Sequence, residues 1–329
     1  MSANLRPAIT AAAIAAVLLG AAAMARPSVW GNFTATAPSA GNSITAAKDF
    51  RAPTSSAATI GKSAGGATGY IKKGGTYYVY ANVSDSGNPA SGVSTVTADV
   101  SSVTAGSTAV ALSAGSFSAG GVTYNRRSAA LTAGTGLAAG SYGFSLTLTD
   151  AAGNSRTQSG FSVTVDNTGP SGTSVQTTNG SATAGLAEAG DTITFAFNEA
   201  PDPTSILSGW SGASTNVVVR LNNGSSGASD TVTIFNSTNA TQLALGSVNL
   251  GAADYTSAAI TFGATGTASK MVLNGSTVTI TLGTQSAAGT PAAATGTMTW
   301  TPSASATDIA GNNVATTAVT ESGAPDREF

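Results

Sequence analysis

The chain has 329 residues, with 13 Lys and Arg against 15 Asp and Glu and a formal charge of −2. That balance leaves no basic face for a phosphate backbone, so no nucleic-acid partner is expected. The absence of Cys and His excludes thiol nucleophiles, the usual zinc and haem ligand sets, the Ser-His-Asp route and a disulfide framework.

At roughly 150 residues per domain the length suggests about two domains. Much of the 41% apolar share is alanine, and Gly, Ser, Thr and Asn separate the larger side chains. Disorder pairs low hydrophobicity with high net charge, and the charge is missing here. Alternating Thr and Val broken by Gly-rich turns instead predict short, half-buried strands, hence an all-β fold.

In "MSANLRPAITAAAIAAVLLGAAAMARPSVWGNF" the single cation Arg6 precedes an apolar run from Ala8 to Ala25. This is the layout of a secretory signal over residues 1–31, cleaved after Ala25 or near Gly31. The run is about as long as a membrane span, so an uncleaved signal would be the protein's contact with a membrane. Residues 32–69, rich in Ala, Thr, Ser and Gly, read as a flexible leader with a first strand around Ala57–Ile60. Within it "ATIGKSAGG" lacks the earlier Gly of a phosphate loop, because position 56 is Ser.

From position 70 the alternation sharpens. Tyr77, Val79, Ala81 and Val83 share one face, with Tyr78 and Tyr80 on the other. Val96, Ala98 and Val100 follow, then Tyr142, Phe144, Leu146 and Leu148, then Phe161, Val163 and Val165. This spacing predicts an antiparallel sandwich over 70–167, closed by the linker "DNTGPSG". A second sandwich is expected over 168–320, opening with Ile193, Phe195 and Phe197 and carrying a hairpin at Asn274-Gly275. Its extra length is placed at about 211–270, and 321–329 reads as a polar tail.

Asp-x-Ala-Gly-Asn occurs twice, at Asp150–Asn154 and Asp308–Asn312. Asp at the first position and Gly at the fourth suit a type I turn, so both copies are expected to reverse the chain. The functional rival is calcium, with Asp150, Asn154 and Asp166 as candidate ligands. Against it, an extended strand of some ten residues, ~33 Å, lies between the turn and Asp166. Glu188, Asp191, Glu199 and Asp202 form the richest acidic stretch. Asp191 and Glu199 bracket a strand and stand ~26 Å apart, too far for an acid/base pair, so the four are assigned to capping and solubility. Trp210, Tyr78 and Tyr80 are candidate sugar-stacking residues, in competition with core and edge packing.

"GSYGFSLTLTDAAGNSRTQSGFSVTVDNTGP" resembles the last two strands and linker of bacterial Ig-like repeats of secreted surface proteins. "AGDTITFAFNEAPDPTSI" with "ATDIAGNNVAT" resembles the S-layer-type Ig-like domain. "SVWGNFTATAPSAGNSITAA" is similar to the leader of matrix proteins exported through a SipW-type signal peptidase, with Ile44 where an aromatic is more usual. The resemblance implies two tandem Ig-like sandwiches without catalytic residues or a required cofactor. It implies a secreted or cell-surface spacer, adhesive or surface-layer component. Expected partners are surface or matrix polymers, other surface proteins, or further copies of the chain. The alternative is a module binding carbohydrate or cell-wall polymer through exposed aromatics.

Overall fold

The computed structural model describes residues 49–329 apart from 63–66, 88, 181–182 and 326. The expected signal segment and both cleavage positions lie outside the described residues. Among those described, no helix is long and apolar enough to cross a membrane.

The chain is nearly all β, as its alternation predicts. The first unit comprises β1 (Thr54–Lys62), β2 (Tyr70–Ile71), β3 (Thr76–Ser84), β4 (Val93–Asp99), β5 (Val110–Ala119), β6 (Val122–Ser128), β7 (Leu131–Thr132), β8 (Gly140–Asp150) and β9 (Ser155–Val165). They run in the order β1-β3-β6-β5-β4-β8-β9-β2, with β7 beside β3. The start of β5 pairs with β4 and its remainder with β6, so this strand crosses between the two layers. The expected inward residues of β3, β4 and β8 meet in one core, with Tyr77, Val79, Ala98, Leu146 and Leu148 fully enclosed. The first strand lies upstream of position 70, inside the expected leader, and pairs with β3 along its length.

The layers also close on their open side. β2 runs parallel to β9, and the Gly69 N–H donates to the Ile60 carbonyl of β1. Between β1 and β9, the Gln158 amide accepts from the Ser55 N–H at 3.0 Å and donates to the Ser55 carbonyl at 2.9 Å. One side chain thus substitutes for a rung of ladder between β1 and β9.

The second unit comprises β10 (Gly172–Thr178), β11 (Thr192–Phe197), helix α1 (Pro203–Ile206), β12 (Thr215–Asn222), β13 (Thr231–Asn236), β14 (Gln242–Asn249), β15 (Ile260–Phe262), β16 (Ser269–Asn274), β17 (Thr277–Thr281), β18 (Thr299–Thr301) and β19 (Val319–Thr320). Their order is β10-β11-β17-β16-β12-β13-β14-β18-β19, with β15 beside β12. Residues 211–270, expected as extra length, supply β12 to β15 and are integral to the sheet. Trp300 sits at the centre, edge-on to Phe195 and Phe197 with ring centres 5.1 and 5.0 Å away. Its indole N–H donates to the Leu245 carbonyl. Gly172 lies against this ring, where a Cβ would come within 2.6 Å of it.

Two local expectations are corrected. Asn274 pairs with Thr277, so the two central hairpin residues are Gly275 and Ser276, not Asn274 and Gly275. This register sets Leu273 opposite Val278 and Met271 opposite Ile280, whereas the expected one sets Leu273 against Ser276. Gly275 alone takes the left-handed backbone, at φ 58°. The polar tail also ends buried: Phe329 enters the core beside Tyr255, and Gly185 N–H donates to its carbonyl. An aromatic ring gains more from that core than from water.

The carboxylate turns and the junction between the units

The two Asp-x-Ala-Gly-Asn segments fold alike. In each, the Asp N–H donates to the Asn carbonyl and the Gly N–H donates back to the Asp carbonyl. Gly153 and Gly311 have φ of 92° and 95°, a conformation that side chains with a Cβ resist. This is a type I turn followed by a left-handed residue, which reverses a hairpin with the right twist.

The carboxylates organise both turns. Asp150 Oδ1 accepts from the Asn154 N–H at 2.8 Å, and Asp308 Oδ1 accepts from the Gly311 and Asn312 N–H groups at 2.6 and 2.7 Å. Each second oxygen accepts from the Asn side-chain amide, at 2.7 and 2.8 Å. That amide also donates outward. Asn154 Nδ2 reaches the Asp49 carbonyl at 3.1 Å, and Asn312 Nδ2 reaches the Asp166 carbonyl at 3.0 Å. Asp49 and Asp166 stand just before the first strand of their units, so each turn grips the chain where it enters. Turn preferences do not reveal this role for Asn; its recurrence at the fifth position of both copies is the available signal.

Around each turn three carboxylates converge, with one oxygen from each lying within 4.8 Å of the others. The groups are Asp49, Asp85 and Asp150, and Asp166, Glu199 and Asp308. The proposed calcium trio is therefore divided: Asp150 and Asn154 touch, but Asp166 belongs to the other group. The length of β9 separates them. With one oxygen from each, three carboxylates supply three of the six to eight oxygens that calcium takes. In the first group most of the oxygens already accept backbone N–H groups: Asp49 from Arg51 and Ser91, Asp85 from Gly87 and Gly92.

The electrostatics differ between the groups. The Arg51 and Ser91 N–H groups hold the Asp49 carboxyl below the usual carboxylate range. Burial pushes Asp150 up, but the Asn154 amide and backbone N–H groups outweigh it and leave this carboxyl lowered as well. Glu199 moves the other way, raised by burial and then by the charges of Asp166 and Asp308. Its Oε1 is buried without a hydrogen-bond donor.

The second turn is also where the two units meet. Lys62, at the end of β1, places Nζ 2.6 Å from the Asp202 carboxylate and 2.9 Å from the Asp308 carbonyl. Lys72, just past β2, donates to the Gly311 carbonyl at 2.5 Å. Asp202 is held in place for this pairing by its remaining contacts. Its other oxygen caps α1 by accepting from Thr204, and its N–H donates to Thr307 beside the turn. The Lys62 and Asp202 side chains are 10% and 2% exposed, so the ion pair is largely out of water. Asp191, the other end of the acidic stretch, accepts from the Gly180 and Glu188 N–H groups.

The stacking candidates fall elsewhere. Trp210 is in the core of the second unit, 5% exposed, with its N–H donating to Ala213, and offers no ring face to a sugar. The large apolar residues are too few for the core to leave this one outside. Tyr80 is buried with Tyr124 and Ala119 in a small cluster on the outer face of β3, and half-buried Tyr78 lies beneath the Arg127 guanidinium.

No curated protein matches the chain in sequence. A solved structure of a protein from Corynebacterium diphtheriae, described as membrane anchored, aligns with 83% of this chain at 14% identity and a TM-score of 0.24. The chain spans 60% of that protein's length. Residues 79–167 match the sequence profile of the bacterial Ig-like domain. The strand order agrees with it: β1-β3-β6-β5 and β4-β8-β9 reproduce the two sheets of an Ig sandwich. Over residues 79–167 the chain is therefore similar to the bacterial Ig-like domain in sequence and in strand order.

Proposed function

We propose that this protein is an exported surface module whose two sandwiches act as one stiff, non-catalytic spacer in a matrix, adhesive stalk or surface layer. The junction carries this reading. Lys62, Lys72 and Asn312 tie the end of one unit to the turn that opens the next, and the central ion pair is buried. A flexible tether needs none of these contacts, and interfaces between domains of one chain are mobile unless something specific fixes them. The bacterial Ig-like match and the signal-like N-terminus support export.

Removing Lys62 leaves the Asp202 carboxylate buried without its cation, which costs about 3–5 kcal/mol where such pairs are broken. In urea, the wild-type chain is expected to unfold in one transition. The Lys62→Ala, Lys72→Ala double variant is expected to unfold in two, the second unit first. Two separate transitions in the wild type contradict the stiff-spacer reading. Fractionation that places the protein in the cytosol contradicts export.

A further inference from the structure

Asn-Gly-Ser occurs three times in the chain, beginning at Asn179, Asn223 and Asn274. In each, the glycine backbone nitrogen can attack the asparagine side-chain carbonyl, since no Cβ stands in its way. A bond forms from the Gly nitrogen to Asn Cγ, the Cγ–Nδ2 bond breaks, and ammonia leaves with the proton that the backbone nitrogen has shed. Water then opens the succinimide on either side, giving Asp or a β-linked Asp. The attack needs an N–H that can give up its proton and a peptide plane that can turn.

The fold withholds both at two of the three pairs. The Gly180 N–H donates to Asp191 Oδ1 at 2.9 Å, and the Gly224 N–H donates to Asp230 Oδ1 at 2.8 Å. Both acceptors are fully buried, and their second oxygens are fixed by the N–H groups of Glu188 and Thr256. A carboxylate that accepts from an N–H favours the proton staying where it is. Backbone also crowds these glycines: a Cβ would collide with the Gly190 carbonyl at Gly180 and with the Ala228 carbonyl at Gly224. The Asn223 amide is itself held, donating to the Ser257 carbonyl at 2.7 Å.

Asn274-Gly275 differs on each count. Asn274 is exposed and makes the last pair of the β16–β17 ladder, and Gly275 follows with open space where a Cβ would stand. Among the described residues neither the Gly275 N–H nor the Asn274 side chain has a hydrogen-bond partner. We propose that Asn274 is a spontaneous modification site, the Asn-Gly pair that the fold leaves open to become Asp and β-linked Asp as the protein ages. The product sets a carboxylate on the turn. Its β-linked form also lengthens a two-residue turn whose Ser276 carbonyl accepts from the Phe197 N–H of β11 at 2.9 Å, so the change is passed to the sheet at that bond. The inference uses no contact between the units and stands apart from the spacer reading.

The test is peptide mapping by mass spectrometry of the full chain aged in mildly alkaline buffer, both folded and in guanidinium chloride. In the folded chain the Asn274 peptide is expected to be the first to gain the mass of an NH2-to-OH exchange, and to separate into Asp and β-linked forms. At Asn179 and Asn223 the bond to the carboxylate has to break before the attack, so both are expected to convert about tenfold more slowly or less. In guanidinium chloride the three are expected to convert at similar rates, because each is followed by the same Gly-Ser. Asn274→Gln is expected to halt the acidic shift of the folded chain on isoelectric focusing. The proposal is overturned if Asn274 stays intact in the folded chain while converting in guanidinium chloride, or if Asn179 or Asn223 matches its rate in the fold. The same ranking in guanidinium chloride overturns it as well, since the fold would then decide nothing, and so does an acidic shift that continues at the wild-type pace in Asn274→Gln.

Discussion

Asp150 and Glu199 are both carboxylates near a domain pole, yet they bear on stability with opposite sign. Asp150 is stabilised as an anion by the Asn154 amide and N–H, so its pKa is lower in the folded chain than in the unfolded one. Its contribution is present above the unfolded carboxylate pKa and is lost as pH falls through the lower folded value. Asp150→Asn is therefore expected to lower the melting temperature at pH 7, with the gap to wild type closing in acid. Glu199 is raised, so its ionised form opposes folding at neutral pH and protonation relieves the penalty. Glu199→Gln is expected to raise the melting temperature at pH 7, measured with a chelator present. The gain should vanish once acid has protonated the wild-type side chain. A loss of stability in Glu199→Gln at pH 7 contradicts this account of the junction's charge.

At the scale of elements, one amide bridges β1 and β9 where the first unit closes. Gln158→Ala is expected to cost about 1–2 kcal/mol, because it removes two hydrogen bonds and leaves the Ser55 backbone groups to water. Hydrogen exchange should quicken at Ser55 and its neighbours in β1 before it does in β8, and uniform protection across both strands would contradict the bridging role. The strands themselves were legible because a period of two is a direct consequence of one buried face. Tyr77, Val79, Ala81 and Val83 declare it, as do Phe144, Leu146 and Leu148. The 274–277 hairpin was legible as a hairpin but not in register, since turn chemistry accepts Asn-Gly or Gly-Ser and cross-strand packing decides between them. Phe329 was illegible because its partner Tyr255 is distant in sequence. Trp210 was ambiguous for a related reason: flanking small residues suit an exposed ring as well as a buried one.

For the whole molecule, the repeated turn answers more than chain reversal. Its Asp and Gly were readable as a turn from residue preferences. Its Asn, which holds the incoming chain, was not, because the acceptors Asp49 and Asp166 come from segments far away. Nor did the sequence mark Lys62 and Lys72 as partners of the second turn, since isolated lysines near strand ends are normally solvated. Only the fold brings them to Asp202, Asp308 and Gly311. The two units differ in what their opening turns receive. The first grips its own entering strand, and the second grips its entering strand and also carries the cations of the preceding unit.

The most direct measurement is a distance distribution between the units. The chain has no native Cys, so Ser118→Cys and Ser237→Cys accept spin labels without interference, one on each unit at an exposed position. Pulsed electron–electron resonance on the doubly labelled chain is predicted to give a single narrow distance, broadening when Lys62 and Lys72 are both replaced by Ala. A broad distribution in the otherwise native chain, unchanged by those replacements, would contradict the claim that the second carboxylate turn locks the two sandwiches together.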